Sequence, residues 1–141
     1  MALSVISALL VAGTLNSTNS TLDIILAVLD RAPHFHGIPD SYLHLFRTTT
    51  YAADAAVAAI NEDAASLGGR RIVLHLVPTA CTGKIATPNV YDKYDELVQA
   101  GRQPVGILGA SCSSASDAVA SLGDGWRLPQ LSHASTQDDL V

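Results

Sequence analysis

At 141 residues, 48% of them apolar and 15% charged, the chain is long enough to build one domain around its own core and too apolar to be disordered. A net charge of −5 and a pI near 5.3 leave no basic stripe to neutralise phosphates, which argues against nucleic acid as a partner. Alanine supplies much of the apolar count, which favours closely packed helices over a large aromatic core.

Residues 3–11 form a short apolar run ending at Ala12-Gly13, as in a secretory signal, although no basic residues precede it. The run is too short to span a bilayer, and no later segment is apolar for long enough, so any membrane attachment is expected outside these residues. Asn16-Ser17-Thr18 and Asn19-Ser20-Thr21 are adjacent glycosylation sequons. Residues 1–21 therefore read as a signal-like, glycosylatable segment, and residues 22–141 as the folded part.

The β-branched apolar run over 22–29 predicts a first strand. Pro33, Gly37 and Pro39 make residues 30–41 a loop. A helix is expected over 42–66, because Ala53, Ala56, Val57, Ile60 and Ala64 recur at spacings of three and four and form one buried stripe. Gly68-Gly69 stops it. A second strand is expected over 71–77, a long loop over 78–88 and a helix over 89–100, ended by Gly101. A third strand follows over 105–108. A helix opened by Ser113 or Ser114 runs to Leu122, where Gly123 and Gly125 break it. A fourth strand is expected over 128–132, and the start of a further helix after it. Alternating strands and helices predict an α/β fold with a doubly wound parallel sheet.

Cys81 and Cys112 fit neither a Cys-x-x-Cys redox motif nor a zinc set. Each follows a predicted strand, so in one parallel sheet both emerge on its carboxyl-end rim. A disulfide and two free thiols both fit that placement; the signal-like run and the sequons tilt the balance towards an oxidising compartment.

Two short runs hold the most information: 109–114, Gly-Ala-Ser-Cys-Ser-Ser, and 131–136, Leu-Ser-His-Ala-Ser-Thr. Each follows a strand and puts small hydroxyl residues where a helix should begin. A helix start offers unpaired N–H groups and the positive end of the peptide dipole, and hydroxyls add donors without bulk. Such a site suits a carboxylate or phosphate. The plainer reading makes Ser113, Ser114 and Thr136 ordinary helix caps.

Other motifs fail on spacing. Pro78 and Ile85 occupy the glycine and hydroxyl positions that a phosphate loop around Gly83-Lys84 would need. Gly106 and Gly109 do not make a dinucleotide fingerprint. Ser113 stands where a nucleophile elbow centred on Ser111 would place its second glycine. His34 and His36 lie on a Pro-bounded loop, which favours solvation over metal binding. Asp138-Asp139 reads as a first-turn charge pair. No metal or cofactor is expected.

Three stretches together resemble the extracellular Venus-flytrap domain of class C G-protein-coupled receptors. They are 52–69 (AADAAVAAINEDAASLGG), 106–116 (GILGASCSSAS) and 128–136 (LPQLSHAST). The first is similar to the first helix of the wider type I periplasmic-binding-protein superfamily; the others resemble metabotropic glutamate and GABA type B receptors. The resemblance implies that residues 22–141 form the first half of lobe 1, with lobe 2 and a seven-helix membrane domain outside this chain. It implies that Ser113 and Thr136 hold the α-carboxylate of a small amino-acid-like ligand, that Ala134 lies at a backbone contact, and that Cys81 pairs with Cys112. It also implies a place on the extracellular face of the plasma membrane, no enzymatic activity, and a possible receptor dimer. Two alternatives share the fold class. One is a soluble amino-acid-binding protein of a transport system. The other is an α/β serine esterase with Ser111 or Ser113 as nucleophile and His133 nearby.

Overall fold

The computed structural model of the chain describes residues 20–29, 40–132 and 135. The signal-like run, the sequons at Asn16 and Asn19, His34, His36, His133, Ala134, Thr136 and the Asp138-Asp139 pair lie outside the described residues. Strand β1 (Thr21–Val28) is followed by helix α1 (Asp40–Glu62), a 3-10 turn (Ala64–Leu67) and strand β2 (Arg71–Pro78). Helix α2 (Gly83–Gln99), strand β3 (Pro104–Leu108), helix α3 (Ser113–Trp126) and strand β4 (Gln130–Leu131) follow among the described residues. The four strands form one sheet in the order β2-β1-β3-β4, and every pairing is parallel.

Strand β1 lies between two neighbours and is covered on both faces, which explains its nearly unbroken apolar run. Alternate residues point to opposite faces. Leu22 and Ile24 join Val57, Leu67 and Ile72 in a core under α1, while Ile25 and Ala27 join Val77, Val90, Leu97, Ile107, Ala115 and Val119 under α2 and α3. Helices thus cover both faces, as a doubly wound sheet requires. Of the predicted stripe on α1, Val57 is buried and Ala53, Ala56 and Ile60 are half-buried. Asn61 adds a polar tie: its side chain accepts from the Ile72 N–H at 2.8 Å and donates to the Ile72 carbonyl at 2.9 Å, satisfying both backbone groups of that residue.

One charged group interrupts the core. Asp23 on β1 is 1% exposed. Arg102, in the turn before β3, reaches it with both Nη2 and, at 3.2 Å, Nε. His75 Nε2, from β2, lies 2.9 Å from the same carboxylate. A buried carboxylate held by a guanidinium fork and an imidazole thereby links β1, β2 and the entry to β3.

Several boundaries differ from the sequence-based expectation. Helix α2 begins at Gly83, and Pro88, expected in a loop, lies inside it. An interior proline costs about 3 kcal/mol. Burying Val90 and Leu97 returns about 1.5–3 kcal/mol each, and Thr82 caps the start by accepting from the Lys84 N–H at 3.3 Å. The helix ends at Ala100 with Gly101 at φ +73, where the Arg102 N–H bonds the Leu97 carbonyl at 2.8 Å and the Gly101 N–H that of Val98 at 2.9 Å. Helix α3 runs through Gly123 and Gly125 instead of breaking there. A side chain at Gly123 would sit 3.0 Å from the Leu128 carbonyl, so that glycine serves close packing. The gain at the end of the helix is aromatic: Trp126 stacks on Tyr94 of α2 at 3.9 Å between ring centroids. Strand β4 is two residues long, against the five expected over 128–132.

Candidate functional site

In the strand order 2-1-3-4, connections leaving β1 and β3 diverge to opposite faces of the sheet. The helix after β1 lies on one face and that after β3 on the other, so the carboxyl ends of these two strands form the switch point of the sheet. Ligands of open α/β sheets bind at such a switch point. The sequence-predicted residues on the described part of this rim are Cys81, Cys112 and Ser113.

The turn from β3 into α3 is built around Gly109. It has φ +103, and a Cβ there would lie 2.1 Å from the Ala27 carbonyl oxygen of β1. Only glycine lets the chain pass this close to the end of β1. Ala110 and Ser111 are buried, and Cys112 is the N-cap, in extended conformation, without a side-chain capping bond. Its carbonyl accepts from the Ala115 and Ser116 N–H groups at 3.1 and 2.9 Å. The helix thus opens at Ser113, as expected, while the plainer reading of Ser113 and Ser114 as its caps gives way to Cys112. Ser113 is the first helical residue, half-buried on the rim, and Ser114 is the second. The Ser114 hydroxyl donates to the Cys81 carbonyl at 2.8 Å, which takes it out of a capping role.

A disulfide joins Cys81 to Cys112, with Cα atoms 5.1 Å apart. It fastens the start of α3 to the start of α2. Gly83 lies at the same junction, where a Cβ would sit 2.6 Å from Ala118 Cβ. Upstream, buried Thr79 donates from its hydroxyl, at 3.1 Å, and from its N–H, at 2.9 Å, to the Val28 carbonyl, tying the β2 exit to the end of β1. Two helix starts thus stand side by side on the carboxyl rim, with their positive dipole ends in common.

The exit from β4 docks onto the same place. Ser135 donates to Ser116 Oγ at 2.5 Å, Ser116 donates to the Ala110 carbonyl at 2.5 Å, and Ser132 donates to that carbonyl at 2.7 Å. Gln130 Nε2 donates to the Gly109 carbonyl at 2.7 Å. Sequence reasoning missed Ser116, Gln130, Ser132 and Ser135, although the Ser-x-x-Ser spacing of 132 and 135 is the signature of a hydroxyl turn. Ala134 and Thr136 lie outside the described residues; Ser135, between them, bonds the first turn of α3.

Among the described residues no group of three or more His, Cys, Asp or Glu is placed to hold a metal ion. No helix among them is long and apolar enough to cross a membrane. Away from the rim, on exposed α2, a 2.5 Å hydrogen bond from Lys93 and the charge of that lysine hold the Glu96 carboxyl below its usual range. On the rim the positive dipole ends of α2 and α3 converge. The family profile described as receptor family ligand binding region matches residues 49–141, well over half of the chain. No curated protein matches it.

Proposed function

The chain belongs to the receptor family ligand binding region, and on that premise we propose that it forms part of lobe 1 of an extracellular, amino-acid-sensing, G-protein-coupled receptor. Ser113 and Thr136 hold the carboxylate of a small amino-acid-like ligand, with a backbone contact at Ala134. The observation that carries this reading is the opening of α3 at the sheet's switch point, with Ser113 as its first residue and the β4 exit bonded to its first turn through Ser135 and Ser116. A carboxylate there meets the positive end of the α3 dipole. Binding is non-covalent. A second lobe closing over the ligand converts binding energy into a shift between open and closed populations, which is the physical source of a signal. The signal-like run and the sequons at Asn16 and Asn19 fit export and glycosylation, and a receptor dimer fits the same reading.

Charge-assisted hydrogen bonds shielded from water are worth about 1.5–3 kcal/mol each. Ser113→Ala or Thr136→Ala, in the protein at its natural length, should therefore weaken binding roughly ten- to a hundredfold. The assay is calorimetric or radioligand binding across the common L-amino acids and γ-aminobutyrate, with thermal unfolding measured alongside. Unchanged affinity in both variants, with stability alone reduced, would make these residues structural and refute the assignment.

A further inference from the structure

Resting on the ligand-site reading above, we propose that Gln130 and Ser132 are positioning residues that set the α3 start against the β4 exit. Strand β4 pairs with β3 at only two positions, Ile107 with Gln130 and Leu108 with Leu131. The Gly109 N–H to the Leu131 carbonyl, at 2.7 Å, is the last backbone bond of that ladder. Beyond it, side chains continue the pairing. Residues two apart on a strand share a face, and Gln130 and Ser132 both reach towards α3. Gln130 Nε2 donates to the Gly109 carbonyl at 2.7 Å and the Ser116 carbonyl at 3.2 Å, and Ser132 Oγ donates to the Ala110 carbonyl at 2.7 Å. Two consecutive carbonyls of the turn that opens α3 are gripped by the side chains of Gln130, on β4, and Ser132, the first residue past it.

The hydroxyls of Ser116, Ser132 and Ser135 cluster around the Ala110 carbonyl, Ser132 and Ser135 also lying 2.8 Å apart, and one consistent set of donors serves them all. A carbonyl oxygen has two lone pairs and a serine hydroxyl one proton. The Ala110 carbonyl takes the protons of Ser132 and Ser116, Ser116 Oγ takes that of Ser135, and Ser132 Oγ takes the Ser135 N–H at 3.3 Å. The ring runs from the β3–α3 turn, through the β4 exit, and back through the first turn of α3. Gln130 acts beside it as a donor, its buried Oε1 having no hydrogen-bond partner among the described residues. Hydrogen bonds weaken steeply over a few tenths of an ångström, so a carboxylate gripped from both turns depends on their separation. That separation is what Gln130 and Ser132 hold.

The test uses Ser132→Ala, Ser132→Thr and Gln130→Met in the protein at its natural length. Two readouts are taken: affinity for the common L-amino acids and γ-aminobutyrate, and amide hydrogen exchange over residues 113–116. Ser132→Ala and Gln130→Met should each weaken the best-bound amino acid of that panel about tenfold, and should accelerate exchange over 113–116 about tenfold while β1 and β2 keep their protection. Ser132→Thr retains the hydroxyl and should restore both readouts. Unchanged exchange in both Ser132→Ala and Gln130→Met overturns the proposal, as does accelerated exchange with unaltered affinity. A wild-type protein that binds nothing in the panel sinks the ligand reading instead, and the exchange comparison still decides whether these two side chains hold the turn.

Discussion

Replacing Arg102 by methionine should destabilise the domain by about 3 kcal/mol, the lower end of the 3–5 kcal/mol that removing one partner of a buried ion pair costs. Asp23 is 1% exposed and takes two bonds from the guanidinium, so the substitution leaves a desolvated carboxylate without its main counter-charge. The lower end applies for two reasons. The Arg102 side chain is itself 36% exposed, so water reaches one side of the pair, and His75 still lies 2.9 Å from the carboxylate. Urea unfolding followed by far-UV circular dichroism measures the difference, and for a domain of this size 3 kcal/mol corresponds to about 6–12 °C in Tm. Adding Asp23→Asn to Arg102→Met removes the stranded charge and should recover more than half of the loss, a coupling that a double-mutant cycle isolates. A loss below about 1 kcal/mol for Arg102→Met, or a double variant that costs the sum of the two singles, would refute the view that the pair holds a buried charge.

Removing the disulfide with Cys81→Ser and Cys112→Ser should cost about 3–4 kcal/mol on the chain-entropy estimate for a separation of 31 residues, read as a drop in the urea midpoint. Gly109→Ala should prevent folding to the native state, because its Cβ would meet the Ala27 carbonyl at 2.1 Å in a backbone conformation that L-residues avoid; normal yield and Tm would contradict the close approach. The Glu96 carboxyl sits below its ordinary value of 4.5 because of Lys93. Its stabilisation is thus present above the unfolded value and lost as pH falls through the lowered one, so Lys93→Met should flatten that part of the acid limb of the stability curve.

Where the sequence carried a strong local signal, the fold was legible. The β-branched run of β1 and the αL glycine at 101 each depend on a few adjacent residues and lie within a residue or two of their expected places, whereas α1 ends at Glu62, short of the expected 66, and a 3-10 turn leads from it to Gly68-Gly69. Legibility failed where tertiary packing outweighs local preference. Pro88 is held in α2 by the burial of Val90 and Leu97, and α3 passes through two glycines to place Trp126 on Tyr94. Neither partner is near in sequence. The rim shows the same division. Hydroxyl-rich turns after β3 and β4 were visible as composition, whereas the bonds that join them, Gln130 to Gly109 and Ser132 to Ala110, span about twenty residues and follow only from the strand order.

Helices α2 and α3 follow parallel strands, so both start on the same rim and run in the same direction. They are fastened twice: by the disulfide at their starts and by the Tyr94–Trp126 stack near their ends. At 1.5 Å per residue the two fasteners lie about 20 Å apart. Two rods pinned at one point can pivot, but two rods pinned at both ends behave as a single plate. A push on the first turn of α3 therefore tilts α2 with it, and carries along the exposed ring of Tyr91, which lies 6.0 Å from Trp126.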